Sequence, residues 1–347
     1  MSFSHSLEKA WNRPVSWALL LLPLSWVFRL VAYLRRHFYQ RLSPNKPINV
    51  PVVVVGNISV GGTGKTPLLL SLVSWFSAQG YRPGVISRGY GGQAAQYPMF
   101  VTAESAVKEV GDEPLLLAGA CPVVIDPDRY RAAQSLLAQT DCNLILSDDG
   151  LQHYRLPRDI EIVVVDGEKG FGNGQCLPAG PLREPVGRLR SVDFTLVNGS
   201  NTGLVINRAY RLGIKPRQLR HLVSGDICDV TVHENTEGEA EGFELSQWQY
   251  GRKIHAVAGI GNPHRFVTTL EQLGFDVQLH AWPDHHNFDG DELLFDDTLP
   301  VIITAKDAVK CHGLAHDNVW VLDITAVPEA EFLEKLTDRV SHLNKTI

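Results

Sequence analysis

At 347 residues the chain exceeds the usual size of one domain, so two domains are expected, with length enough to bury a sizeable core. Its 32 basic and 38 acidic residues leave a net charge of −6, without the basic excess of a dedicated nucleic-acid binder, and no nucleic-acid partner is expected. The five cysteines show no CxxC spacing, which argues against a zinc ribbon or disulfide framework and suits a reducing compartment.

The chain opens with nearly continuous apolar sequence from Val15 to Leu34, broken by Ser16, Pro23, Ser25 and Arg29. Its length approaches the roughly 20 residues that span a bilayer. A signal peptide fits poorly, because Arg29 falls late in the stretch and no small-residue cleavage pattern follows. Arg29, Arg35, Arg36 and Arg41 are placed to meet anionic headgroups, with Trp17, Trp26 and Phe28 at the interface. Residues 1–40 are therefore expected to form a membrane-associated helix, spanning or interfacial, with the remainder on the cytoplasmic face of the membrane. A buried core helix is the alternative.

From Val52 short β-branched runs alternate with helical stretches, the pattern of a parallel sheet covered on both faces. Strands are expected at 52–55, 84–87, 123–125, 144–147, 162–165 and 194–197. The helix after the first strand carries Pro67 in its first turn and ends at Gly80. Regularity fades after about Asn207, and the polar, Gly- and Glu-rich stretch near 233–251 reads as a linker or hairpin. A second βαβ pattern begins at "KIHAVAGIGNPH", and the last segment has helical periodicity. The fold class expected is α/β: a P-loop NTPase-like parallel-sheet domain over 41–210, a linker over 211–250 expected to form a β-hairpin, and a smaller α/β domain over 251–347 with a terminal helix.

"SVGGTGKT" satisfies the GxxxxGK[ST] consensus everywhere except its first glycine, where Ser59 stands. A buried strand runs into this Gly-rich turn and then a helix, so backbone N–H groups and the helix N-terminus converge on one anion. Ser59, Val60, Gly61, Gly62, Thr63 and Gly64 would line a nucleotide's phosphates. Lys65 would reach the β- and γ-phosphates, and Thr66 would ligate Mg²⁺. The acidic partner for the metal is sought at a strand end, where "LILSDDG" offers Asp148 and Asp149 and "IVVVDG" offers Asp166. Adjacent carboxylates are costly to hold together without a cation, which favours the first two.

Judged locally, Asp112 and Glu113 before Pro114 are a helix start, carboxylates in a first turn. Asp284, His285 and His286 sit in a polar loop that fits a solvated turn, a metal site or a general base with an orienting partner. "SRGYGG" and "LPAGPLREP" carry Arg88 and Arg183 on loops that follow strands, where open α/β sheets bind ligands. The residues alone leave open a P-loop NTPase acting as a switch or delivery factor, a membrane-peripheral binding protein, or a kinase of a soluble substrate.

Together "VGNISVGGTGKTP", "SRGYGG", "GDEP", "DPDRYRAA", "SDDGLQH", "LPAGPLREP", "AGIGNPHRF", "PDHHNF" and "AKDAVK" resemble, in order, the tetraacyldisaccharide 4'-kinases, the lipid A 4'-kinases of Gram-negative bacteria. Ser59 fits this pattern, since the family's loop also lacks the first consensus glycine. Ala305 departs from it, standing where glutamate is expected. The resemblance implies transfer of the ATP γ-phosphoryl group to the 4'-hydroxyl of a tetraacylated glucosamine disaccharide 1-phosphate at the inner membrane by a monomer using ATP and Mg²⁺. It places the catalytic aspartate on Asp112, overturning the local reading, and its histidine partner on His285, with Lys65 and Arg183 neutralising charge. It also suggests Gln152 and Glu184 near the metal and Arg129 on the acceptor or phosphates. With nucleotide on one domain and the histidine loop on the other, cleft closure on ligand binding is expected.

Overall fold

Val52, Val53, Val54 and Val55 are all buried, as a strand covered on both faces requires, and they form the middle of one extended sheet. The structure is a computed structural model that describes residues 3–42, 47–199, 206–234, 240–311, 313–314 and 317–344. It begins with α1 (Phe3–Trp11), a 3₁₀ turn and α2 (Leu22–Leu42). Then follow β1 (Val52–Gly56), α3 (Lys65–Ala78), β2 (Pro83–Ser87), β3 (Met99–Val101), α4 (Val107–Val110) and α5 (Asp112–Ala118). The next elements are β4 (Val123–Ile125), α6 (Arg129–Gln139), β5 (Leu144–Asp148), β6 (Ile160–Asp166) and β7 (Phe194–Asn198). The chain continues through β8 (Ala209–His221), β9 (Ile227–Glu234), β10 (Ala240–Leu245), β11 (Lys253–Ala258), α7 (Pro263–Gln272) and β12 (Asp276–Ala281). It closes with β13 (Val301–Thr304), α8 (Ala305–Ala308), β14 (Val319–Pro328) and α9 (Ala330–Asn344).

All six expected strands are present, with ends shifted by at most two residues. The strand order β12-β11-β13-β14-β8-β7-β6-β1-β5-β2-β4-β3 runs through both halves without a break. Each half is parallel around its centre, and the halves meet where β8 pairs antiparallel with β14 over nine positions while also pairing parallel with β7. Residues 211–250, read from the sequence as a linker with a β-hairpin, do contain the β9–β10 hairpin, but they also contribute most of β8, a principal strand of the sheet. Their polar composition hid this because β8 is largely half-buried and carries its apolar residues sparsely.

Alternation along β1 divides the core. Val53 and Val55 join Leu68, Leu72 and Phe76 of α3, whereas Val52 and Val54 join Ala132, Ala133 and Leu136 of α6. The C-terminal α9 packs on the α3 side, burying Phe332, Leu336 and Val340 in the same cluster, and Trp75 Nε1 donates to Thr337 Oγ1 at 2.9 Å. The end of the chain therefore stabilises the half that its beginning builds.

Pro23 stands in the first turn of α2, where a missing N–H costs little. Trp17–Tyr39 is long and apolar enough to cross a membrane, with mean hydropathy 1.7, and little of it is buried. Leu24, Trp26, Val27, Leu30, Val31 and Phe38 are exposed, which removes the core-helix alternative. The segment is fixed at its base: Trp11 Nε1 donates to Pro178 O at 2.9 Å, Ser25 Oγ donates to Cys176 O at 2.7 Å, and Trp11 and Ala18 pack beside Val60 and Leu177.

Candidate active site

β1 delivers the chain to a loop, Asn57–Gly64, whose exit is the first residue of α3, Lys65. The loop is braced from within by Asn57 Nδ2 donating to Gly61 O at 3.2 Å, and from outside by Val60 N donating to Pro181 O at 2.9 Å. Ser59 forms an antiparallel bridge with Leu182, so this position is extended and has no use for the consensus glycine. Gly64 is different. Its φ is +93°, and a Cβ there would lie 2.4 Å from Asn198 Nδ2, so no side chain fits.

Opposite the loop, Asp149 follows the end of β5. Arg183 Nη1 donates to its Oδ2 at 2.7 Å, and Lys65 Nζ lies 3.5 Å from its Oδ1. Burial would raise the Asp149 carboxyl, but Lys65 and Arg183 outweigh it and hold it down to about 2. Asp148 behaves oppositely. It is buried, accepts one hydrogen bond from Ser87 Oγ at 3.0 Å on Oδ2, and has no donor on Oδ1. Burial, reinforced by the negative charges of Glu113 and Asp149, pushes it up to about 7. A buried carboxylate oxygen without a donor, beside a second carboxylate, suits a divalent cation, and Mg²⁺ needs only one or two protein carboxylates when phosphates and water complete its shell. Among the described residues no group of three His, Cys, Asp or Glu could hold a metal without such help.

The other candidate ligands have protein partners. Glu184 accepts Gln152 Nε2 at 2.7 Å on one oxygen and Arg188 Nε at 3.1 Å on the other, so this trio braces the loop after Arg183. Asp166 Oδ1 accepts the N–H groups of Glu168 and Lys169 at 2.9 and 3.1 Å, ordinary turn chemistry, while its buried Oδ2 has no donor. Arg129 is buried and donates to Asp126 O at 2.9 Å and Asp148 O at 3.2 Å, with burial lowering it to about 10. These bonds tie it to the end of β5, and its buried Nε has no partner among the described residues.

The two halves meet at Asp112. Gly111, with φ +86°, immediately precedes α5, and a Cβ on it would lie 2.4 Å from Tyr90 O, so the "SRGYGG" loop rests directly on the "GDEP" loop. Asp112 is buried, and its Oδ2 is 2.9 Å from His285 Nδ1 of the loop after β12. His285 adopts φ +62° to reach it. The hydrogen bond to Asp112 raises the imidazole; burial would raise the Asp112 carboxyl, but His285 and Lys306 hold it below its usual value. A cavity of about 250 Å³ lies beside the pair, lined by Tyr90, Asp112, His285 and Lys310 among others. Gly261 lies between His285's neighbour Asp284 and the phosphate loop: its Cβ position is 3.2 Å from Asp284 Oδ2 and 3.9 Å from Gly62 N.

Lys306 was given no role by its sequence context. Its ammonium is 3.3 Å from Glu113, 3.4 Å from Asp284 and 3.8 Å from Asp112, and these three carboxylates raise it despite burial. Its signals were membership of "AKDAVK", one of the stretches that carry the resemblance, and a run of charges common on any helix start.

The profile of the family described as Tetraacyldisaccharide-1-P 4'-kinase matches residues 17–341. The tetraacyldisaccharide 4'-kinase of Alkalilimnicola ehrlichii is 48% identical over 96% of this chain and 96% of its own length. That of Pseudomonas paraeruginosa is 47% identical over 99% of each. Among solved structures, an "apo" form LpxK from Aquifex aeolicus in complex with ATP superposes with a TM-score of 0.75 at 25% identity, covering 94% of this chain and 99% of that one. With profile, sequence relatives and fold in agreement over nearly the whole length, the chain belongs to the tetraacyldisaccharide 4'-kinase family.

Proposed function

We infer that this chain transfers the γ-phosphoryl group of ATP to the 4'-hydroxyl of tetraacyldisaccharide 1-phosphate, forming lipid IV-A. The observation that carries the reading is the Asp112–His285 contact of 2.9 Å, which joins a carboxylate from one half to an imidazole from the other beside an open cavity. In this arrangement Asp112 accepts the proton of the sugar hydroxyl as it attacks phosphorus. His285, held toward its charged form, orients Asp112 and offsets its charge. Lys65 and Arg183, now paired with Asp149, are the cations available to the phosphates, and phosphoryl transfer depends mainly on such positioning and neutralisation. Mg²⁺ would be held by Asp148, Asp149 and Thr66, supplying charge neutralisation at the β- and γ-phosphates.

The test is incubation of the purified protein with γ-labelled ATP and tetraacyldisaccharide 1-phosphate. Label is expected on the glycolipid. Release of labelled inorganic phosphate with no labelled lipid would instead identify a switch-type NTPase.

The exposed apolar face of α2 supports attachment to the membrane that holds this acceptor, with the catalytic halves on the cytoplasmic side. Burying each such side chain is worth roughly 1.5–3 kcal/mol. Replacing both Leu30 and Val31 with glutamate is therefore expected to lower partitioning onto anionic phospholipid vesicles by about tenfold or more. Unchanged flotation of the variant with vesicles would refute a membrane role for that face.

A further inference from the structure

Asn198 ends β7 beneath the phosphate loop and is almost fully buried. Its Nδ2 donates to Thr63 O at 2.8 Å, and its Oδ1 accepts from Arg265 Nη2 at 2.7 Å. The orientation of this amide is forced. A guanidinium can only donate and a backbone carbonyl can only accept, so a flipped Asn198 would set donor against donor and acceptor against acceptor. Arg265 lies in the first turn of α7, where the Asn262 side chain caps the helix by accepting Arg265 N at 3.4 Å.

The backbone on both sides makes way for this contact. A Cβ on Gly64 would lie 2.4 Å from Asn198 Nδ2, and a Cβ on Gly199 would lie 2.8 Å from Arg265 Nη2. In a planar trans peptide the carbonyl and the following N–H point in opposite directions. Holding Thr63 O against Asn198 therefore turns Gly64 N–H away from the sheet and fixes the rotation of the peptide just before Lys65. None of this is visible in the phosphate-loop motif, because the fixing groups lie about 135 and 200 residues downstream.

We propose that Arg265 and Asn198 form a positioning relay that locks the Thr63–Gly64 peptide in its phosphate-binding orientation, so that the docking of α7 sets the grip on ATP. The relay deepens the nucleotide-site reading of the loop and rests on it. Neither residue needs to touch nucleotide. Losing one partner leaves a buried hydrogen-bonding group unsatisfied, which costs enough to release the peptide.

The test compares Asn198→Asp, Arg265→Met and Arg265→Lys with the wild-type protein in ATP binding, in KM for ATP and for the glycolipid, and in thermal unfolding without nucleotide. Asn198→Asp places an acceptor against Thr63 O, and Arg265→Met removes the donor that orients the amide. Each is expected to raise the dissociation constant and KM for ATP about tenfold or more while KM for the glycolipid stays near wild type. Arg265→Lys, which keeps a donor, is expected to recover part of the loss. Wild-type ATP affinity in Asn198→Asp and Arg265→Met would overturn the relay. So would parallel losses for both substrates tracking a lower melting temperature, which would mark a merely structural contact. Failure of the wild-type protein itself to bind ATP would instead overturn the nucleotide-site reading beneath it.

Discussion

Replacing Lys65 with alanine is expected to lower transfer to the glycolipid by at least about 10²–10³-fold, the range for removing one charge-stabilising donor from a phosphoryl- or acyl-transfer site. Lys65 opens α3 directly after the loop, so its ammonium and the helix N-terminus would act on the same anion. In the structure it lies 3.5 Å from Asp149, whose other oxygen is held by Arg183 at 2.7 Å. With the ammonium gone, Arg183 alone would face Asp149 and the incoming phosphates. The effect is expected mainly in turnover, because charge on the transferred group and leaving oxygens changes most in the transition state. Single-turnover transfer measured at saturating ATP separates this from weakened binding, and near-normal transfer would remove Lys65 from the mechanism.

Asp112→Asn is expected to lower transfer by about 10²–10⁴-fold, the usual contribution of a positioned proton acceptor. The amide has nearly the same shape, so the loss would lie in chemistry and charge. Stability reports on the same pair. The Asp112 carboxyl is depressed below its ordinary 3.8, so its contribution is complete above that value and disappears as pH falls through the depressed one. The His285 imidazole is raised above its ordinary 6.5, so its contribution is complete below that value and disappears as pH rises through the raised one. The stability advantage of wild type over Asp112→Asn is therefore expected to peak between 3.8 and 6.5 and to shrink on either side. Urea unfolding across that range tests it, and a pH-independent difference would contradict the ion pair.

Local chemistry made much of this molecule legible. The valine run, the glycines and GKT specified strand, turn and helix in order, and six of the seven strands from β1 to β7 followed from short β-branched runs, the short edge strand β3 being the one not read. The acceptor side was harder to read. Asp112 has every local property of a residue that starts a helix, which it also is, and its pairing with His285 lies 173 positions away in sequence. Only the resemblance of whole motifs joined them. Lys306 and Asn198 were silent for the same reason: their partners come from other elements, and no periodicity encodes a contact between halves. Gln152, Glu184 and Arg129 mark the opposite limit. Motif membership suggested roles near metal and substrate, and the fold adds what no motif shows, the partners that hold them beside the site.

β8 pairs with β7 from Ala209 to Leu212 and with β14 from Leu212 to His221, so one continuous strand joins the halves and the two ladders share only Leu212. The joint is a leaf spring. It can twist and bow, as sheets do, with a restoring force that grows with the angle. Opening to admit a bulky glycolipid would then load the strip elastically, and recoil would drive His285 back against Asp112 without any separate latch.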